Sequence, residues 1–330
     1  MNVILSLVAV IVLMLLAYVG AGVVGLQFVF GIVLPYLAIV LFLGGLVWKV
    51  FNWAKSPVPF RIPTTCGQQK TLPWFKQAKF DNPSTTGGVI VRMILEVFFF
   101  RSLFRNTKAE LTKGPVLAYA SNYWLWIFAI AFHYSFLIVL IRHLRFFTEP
   151  VPGFILALQS LDGFLQVGVP MYYITSFLLV AAVGALLLRR LFSPQLRYIS
   201  MLNDYFPLFL IIAIGTTGIL LRHFFKTDIV AIKDLTLGLV TFSPQVPENA
   251  HPLFYMHFFL ITCLFAYFPF SKLTHMAGVF LVSTRNLANN NREKRHINPW
   301  NPKVKMHTYD EYEDEFRDKM KAAGIPVDKE

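Results

Sequence analysis

Cysteine is nearly missing. Cys66 and Cys263 are the two in 330 residues, and no CxxC occurs. An iron–sulfur cluster carried by this chain is therefore excluded, because such clusters draw on several clustered thiolates, and a disulfide between the two is not expected. Cys263, inside an apolar run, reads as a small buried apolar residue. Cys66 sits in PTTCGQQK, where an inert loop thiol is favoured over a reactive or ligating one. Charge is missing from residues 2 to 48, which contain no Asp, Glu, Lys or Arg. That stretch lacks the basic start of a cleaved signal peptide and stays apolar for too long to be one. No HxxxH pair exists, which argues against a zinc site. Acids are also scarce, 18 against 30 Lys and Arg.

Apolar surface is abundant instead. Hydrophobic residues make up 56% of the chain, 33 of them Phe, and the mean hydropathy is +0.56. They cluster in runs of membrane-spanning length, so the fold class is an all-α integral membrane protein. A single helix over residues 2 to 48 would reach roughly 70 Å, more than twice the hydrocarbon core, so this stretch folds as a hairpin. The break falls at Gly20, Gly22, Gly25 and Gln27. Spans are expected at 3–20, 28–48, 119–141, 168–188, 205–222 and 252–281, a six-helix bundle whose last member is drawn as one long helix. Pro170, Gly184, Gly215, Gly218 and Pro269 interrupt these runs without vetoing them, because neighbouring helices satisfy freed backbone groups.

Basic residues orient the bundle. The connection 54–117 carries ten Lys and Arg against three acids, the turn at 189–197 carries Arg189, Arg190 and Arg197, and 285–305 carries six more. Loops on the other side match their few basic residues with Glu149, Asp162, Asp228, Asp234 and Glu248. The positive-inside rule then places both termini in the cytoplasm, in a multi-pass protein of the cytoplasmic (inner) membrane whose surroundings are membrane lipid. This bias accounts for the net charge of +12, and no nucleic acid is implied. GVIVRMILEVFFFRSLFRN, residues 88–106, mixes Arg92, Glu96, Arg101 and Arg105 into an apolar run and reads as an interfacial helix. The polar tail after 285 docks on a soluble partner, covers the cytoplasmic face or is simply solvated. The units expected are an N-terminal hairpin (1–54), a cytoplasmic connection with the interfacial helix (55–117), a four-helix domain (118–284) and a cytoplasmic tail (285–330).

Six of the eight histidines lie in or beside spans; His296 and His307 lie in the tail. An ionisable side chain inside a membrane is costly, so it is a functional candidate by default. His133 and His143 are ten residues apart, roughly 15 Å along a helix, and His257 and His275 are 18 apart, five turns and roughly 27 Å. On antiparallel spans His133 falls level with His275 and His143 with His257. The vertical spacings differ, and tilt, a kink at Pro269 and ligand reach must absorb the difference. Two cross-helix imidazole pairs at two depths suit two bis-histidine haems, an electron path through the membrane. A lone membrane histidine is more often a packing residue; two pairs in register favour ligation. Arg142, Arg145, Arg222 and Lys272 lie nearby, as propionate partners or as side chains snorkelling to the interface. The competing reading is a haem-free transporter or membrane anchor whose histidines relay protons or pack.

The ligand spacings resemble those of the respiratory nitrate reductase gamma subunit family. AFHYSFLIVLIRHLRFFTEPVP, FPFSKLTHMAGVF, TRNLANNN, RHINPWNP and HTYDEYEDEF extend the likeness over essentially the whole chain to the M subunits of Dsr (dissimilatory sulfite reduction) electron-transfer complexes. An extra N-terminal span and the long 54–117 connection depart from the nitrate reductase pattern. The resemblance implies two haems b, the inner held by His133 and His275 and the outer by His143 and His257. It implies a quinol-oxidising subunit of a membrane oxidoreductase complex, with menaquinol as donor and a cytoplasmic iron–sulfur subunit of heterodisulfide-reductase type as acceptor. Other membrane and outer-face subunits, including a multihaem cytochrome c, and a link to sulfite or sulfate respiration are further implications. A quinol oxidised at the outer face would approach TFSPQVPENAHPLFY, with Glu248 and His251 as candidate proton acceptors and Arg222 and His223 as weaker ones; helix capping and loop packing are the plainer roles.

Overall fold

The computed structural model describes residues 1–56, 67–112, 114, 116–165, 170–290 and 305–329. Cys66, His296 and the RHINPWNP stretch lie outside them. The helices are α1 (Asn2–Gly22), a π-helical turn (Val29–Val33) leading into α2 (Leu34–Ala54), α3 (Thr86–Phe99), α4 (Arg101–Phe104), α5 (Tyr123–His143) and α6 (Gly153–Asp162). They continue as α7 (Ile174–Phe192), α8 (Pro194–Ile199), α9 (Leu202–His223), α10 (Ile229–Thr241), α11 (Pro252–Tyr267), α12 (His275–Gly278), α13 (Ser283–Asn286) and α14 (Tyr309–Ala322). Six of these, α1, α2 with its π turn, α5, α7, α9 and α11, are long and apolar enough to cross a membrane. The all-α membrane bundle read from hydropathy is thus borne out.

The bundle is apolar on its outside, as a lipid solvent requires: Leu15, Val40, Leu43 and Trp124 are all more than half exposed. Lipid gives helices no hydrophobic reason to associate, so packing and cross-helix polar contacts hold them. At the end where the chain starts, the near end, Asn2 Nδ2 and Ser6 Oγ donate to the Ser200 and Leu202 carbonyls, both at 3.1 Å. At the opposite, far end, the backbone of Gly22 lies against the Pro252 ring. Helix α11 sits centrally, packed on α1, α2 and α9, whereas α5 packs on α7; α5 and α11 share no extended contact.

Three features differ from expectation. The last span is not one helix to 281: α11 ends at Tyr267, a 3-10 turn covers Phe268–Phe270, and Ser271 is extended with φ −117° and ψ 177°. Pro269 removes a backbone donor and crowds the preceding turn, and the Ser271 hydroxyl then caps the next turn by accepting from Leu273 N–H at 3.1 Å. A two-stranded antiparallel hairpin, β1 (Thr107–Thr112) and β2 (Val116–Ser121), occupies the end of the connection, with Gly114 at φ +86° in its turn. The far-end loops hold the short helices α6 and α10.

Helix α3 carries its charges inward. Val89, Arg92 and Glu96 are buried while Ile90, Ile94 and Phe98 are exposed, so the apolar face is the outward one, as on an interfacial or membrane-embedded helix. Arg92 Nη1 donates to the Asp81 carbonyl at 2.6 Å, and Glu96 accepts from the Ser102 amide and hydroxyl. Its last turn meets α5: the Tyr134 hydroxyl donates to the Phe98 carbonyl at 2.9 Å and Trp126 Nε1 to that of Phe99 at 2.8 Å. In the tail, Thr308 caps α14, and Glu313, almost fully buried, accepts from the backbone of Asp328 and Lys329.

Candidate functional site

Helix α5 carries His133 midway and His143 at its far end, while α11 carries His257 near its far end. His275 lies beyond the break, as the first residue of α12. The break brings His275 back to α5: its ring and that of His133 are 5.9 Å apart between centroids. The other two, His143 and His257, stand towards the far ends of α5 and α11.

Hydrogen bonds fix the tautomers. Nδ1 of His133 is 2.7 Å from the Ala129 carbonyl, Nδ1 of His143 is 2.7 Å from that of Val139, and Nδ1 of His275 is 2.9 Å from that of Lys272. A carbonyl only accepts, so each Nδ1 carries the hydrogen and each Nε2 keeps its lone pair. His257 reaches the same state by another route. Its Nδ1 lies 2.9 Å from Thr217 Oγ1, and that hydroxyl has two carbonyls to which it can donate, Ala213 at 2.7 Å and Ile214 at 3.0 Å, which leaves its oxygen to accept from Nδ1–H. Gly218 makes room for that ring: a Cβ there would stand 3.0 Å from His257 Cε1.

His251 has the opposite polarity. Its Nδ1 accepts from Leu253 N–H at 3.1 Å, capping α11. A neutral ring then carries its hydrogen on Nε2 and has no lone pair for a metal. His223 stacks on Tyr172 with centroids 4.4 Å apart. Glu248 is exposed and lines a hollow of about 260 Å³ with Asp228 and Asn249. Neither Glu248 nor His251 is drawn into a histidine pair.

The four basic candidates all have partners within the chain. Arg142 Nε is 2.9 Å from Asp162 Oδ2, both side chains being over nine-tenths buried, and its Nη2 donates to Ser176 Oγ at 3.0 Å. Asp162 also accepts from the Thr175 amide at 2.9 Å and hydroxyl at 2.6 Å. The guanidiniums of Arg142 and Arg222 both stand over the Tyr173 ring, 3.9 and 4.1 Å from its centroid. Lys272 Nζ pairs with Asp204 Oδ1 at 2.6 Å. Arg142 and Lys272 are therefore neutralised by carboxylates, whereas Arg145, bonded to Gln159 Oε1, and Arg222, bonded to the Met171 carbonyl, have no carboxylate partner among the described residues.

Sequence reasoning gave no site role to Thr217, Gly218, Phe100, Asp162 or Tyr173. Phe100, at φ 50° between α3 and α4, lays its ring edge-on to His133 at 4.9 Å. Two threonines and two glycines inside the apolar run of α9 were the readable signal for Thr217 and Gly218, since small and hydroxylic residues mark close helix contacts in membranes.

These residues fit a bis-histidine haem. Four imidazoles present a bare Nε2, and two nitrogen ligands about 2.0 Å either side of one metal put ring centroids roughly 6 Å apart, near the His133–His275 value. The helices bearing the pairs also leave each other unpacked. Among the described residues no three His, Cys, Asp or Glu side chains group as a metal site; an axial pair needs two.

Comparison with known proteins agrees in kind. The family described as the nitrate reductase gamma subunit matches residues 93–289. Two "Hdr-like menaquinol oxidoreductase cytochrome b-like" subunits are similar: one from Archaeoglobus fulgidus, 45% identical over 83% of this chain and 84% of that protein, and one from Archaeoglobus profundus, 42% identical over 83% of each. One component of the dihydromethanophenazine:CoB–CoM heterodisulfide reductase from Methanosarcina thermophila is 23% identical over 79% of this chain and 92% of its own length.

Proposed function

Because this chain belongs to the nitrate reductase gamma subunit family, we propose that it is a dihaem membrane cytochrome b, the menaquinol-oxidising electron-transfer subunit of an Hdr-like complex. His133 and His275 would hold one haem and His143 and His257 the other. The observation that carries this reading is the common polarity of these four imidazoles, each donating from Nδ1 and leaving Nε2 free, against the reversed polarity of His251. Bound there, the haems supply one-electron transfer through the membrane.

The chain supplies orientation and insulation. Backbone carbonyls and Thr217 hold the ligand rings and raise their basicity. Gly218 lets the His257 ring lie on α9, and Arg145 and Arg222 offer charge to carboxylates at the far end. The near end, which carries the basic connections, faces the cytoplasm by the positive-inside rule, with both termini there. Menaquinol is oxidised at the far, outer face, and electrons leave at the near face for a cytoplasmic iron–sulfur subunit resembling heterodisulfide reductase, in a complex with further membrane and outer-face subunits, a multihaem cytochrome c among them, serving sulfite or sulfate respiration. Glu248, an exposed carboxylate, is a ready proton acceptor; His251 accepts one only at Nδ1, by giving up its cap bond to Leu253.

Purified protein should show a reducible b-type spectrum with about two haems per chain, one per histidine pair. A folded but colourless preparation overturns the reading.

A further inference from the structure

The near-end ligand His275 stands on no long helix. It follows the extended Ser271 and a single 3-10 turn, Lys272–Thr274, and its Nδ1–H is received by the carbonyl of Lys272. That turn is fastened from outside. Lys272 Nζ reaches Asp204 Oδ1 at 2.6 Å, and Asp204 sits in the first turn of α9 with its side chain 9% exposed. Asp204 Oδ2 accepts from Met201 N–H at 3.0 Å, and Arg190, at the end of α7, stands 3.9 Å from Oδ1 while donating to Ser200 Oγ at 2.7 Å. One carboxylate thereby joins α7, α9 and the turn bearing the ligand.

We propose that Asp204, through its ion pair with Lys272, is the positioning residue for His275: it holds the Lys272 carbonyl where it receives Nδ1–H and so sets the orientation and basicity of the near-end axial ligand. This rests on the haem reading of the His133–His275 pair. The physical ground is that an axial imidazole whose Nδ1–H is held by a fixed acceptor is a stronger donor at Nε2 and favours the oxidised iron. Among the described residues the far pair is held otherwise: a continuous helix supplies the carbonyl of Val139 and a neighbouring helix supplies Thr217. Lys272 is largely exposed, so losing its end of the pair costs little stability, and Asp204→Asn keeps a side-chain oxygen that accepts from Met201 N–H, so variants at this pair are expected to fold.

The test is spectroelectrochemical titration and electron paramagnetic resonance of the haem-loaded protein carrying Asp204→Asn, Lys272→Met or both. Charge alone makes the single changes opposite in sign: losing the anion raises a nearby potential and losing the cation lowers it. Positioning makes them alike: both release the turn, both raise the near-end potential and both change its low-spin signature, and the double variant matches each single because one pair is being broken. Far-end values stay put in all three. Opposite shifts, or no change in the near-end signature, overturn the positioning role with the haems still present; absence of both haems from the unaltered protein overturns the functional reading instead.

Discussion

The two histidine pairs are built by different means. Each far-end histidine stands within a long helix, and the ring of one is received by Thr217 and Gly218 of α9, with the buried Arg142–Asp162 ion pair beside the other. The near-end pair joins the middle of α5 to a short turn beyond a helix break, covered on one side by Phe100 and tied by Lys272 to Asp204. A rigid frame limits what a single side chain can change, whereas a ligand on a turn answers to whatever fixes the turn. The far pair is thus specified by contacts between long helices and the near pair by polar ties to a turn.

The largest break in this comparison comes from the ligands. His143→Ala and His257→Ala should each lose the same haem, and His133→Ala and His275→Ala the other, halving the haem content read by pyridine haemochrome assay; losses that cross between pairs contradict the pairing. Next is Arg142→Met, which leaves Asp162 buried and unpaired at the far end. It is expected to cost about 3–5 kcal/mol in thermal or denaturant unfolding, and a near-zero cost would mean that water reaches Asp162. Gly218→Ala pushes a methyl onto the His257 ring, for about 1–3 kcal/mol of overpacking, with the far-end spectrum broadened and the near-end one untouched. An unchanged far-end spectrum would show that the ring gives way freely. The smallest effect is that of Thr217→Val, which removes the acceptor for His257 Nδ1 at nearly constant volume. About 10–100-fold weaker retention of the far haem is expected in competition with apo-myoglobin, with Thr217→Ser restoring it; equal retention in both variants would remove Thr217 from the ligand's support.

Much of this was legible in the chain. The six spans follow from hydropathy, a property each segment carries by itself, and their ends fell within a few residues for most. The family was readable from motifs around His133, His143 and His275. Legibility failed where one segment decides the shape of another. The 18 residues between His257 and His275 were measured as five helical turns, but Pro269 and the cap at Ser271 end the helix, so the mismatch of roughly 12 Å between the two ligand spacings loses its basis. Arg142 and Lys272 looked like free cations from their own neighbourhoods, and their carboxylates, Asp162 and Asp204, come from segments 20 and 68 residues away. His251 and His257 lie six residues apart in one segment, and the direction of one hydrogen bond separates a cap from a candidate ligand.

Local chemistry alone determined that this protein lies in a bilayer, crosses it six times and carries histidines where imidazole is costly, because transfer from water to lipid is counted residue by residue along one helix. Which imidazoles face each other, which ring nitrogen stays bare and which cations are already neutralised were decided by the tertiary structure, because hydrogen-bond direction and ion pairing depend on atoms brought together from distant parts of the chain.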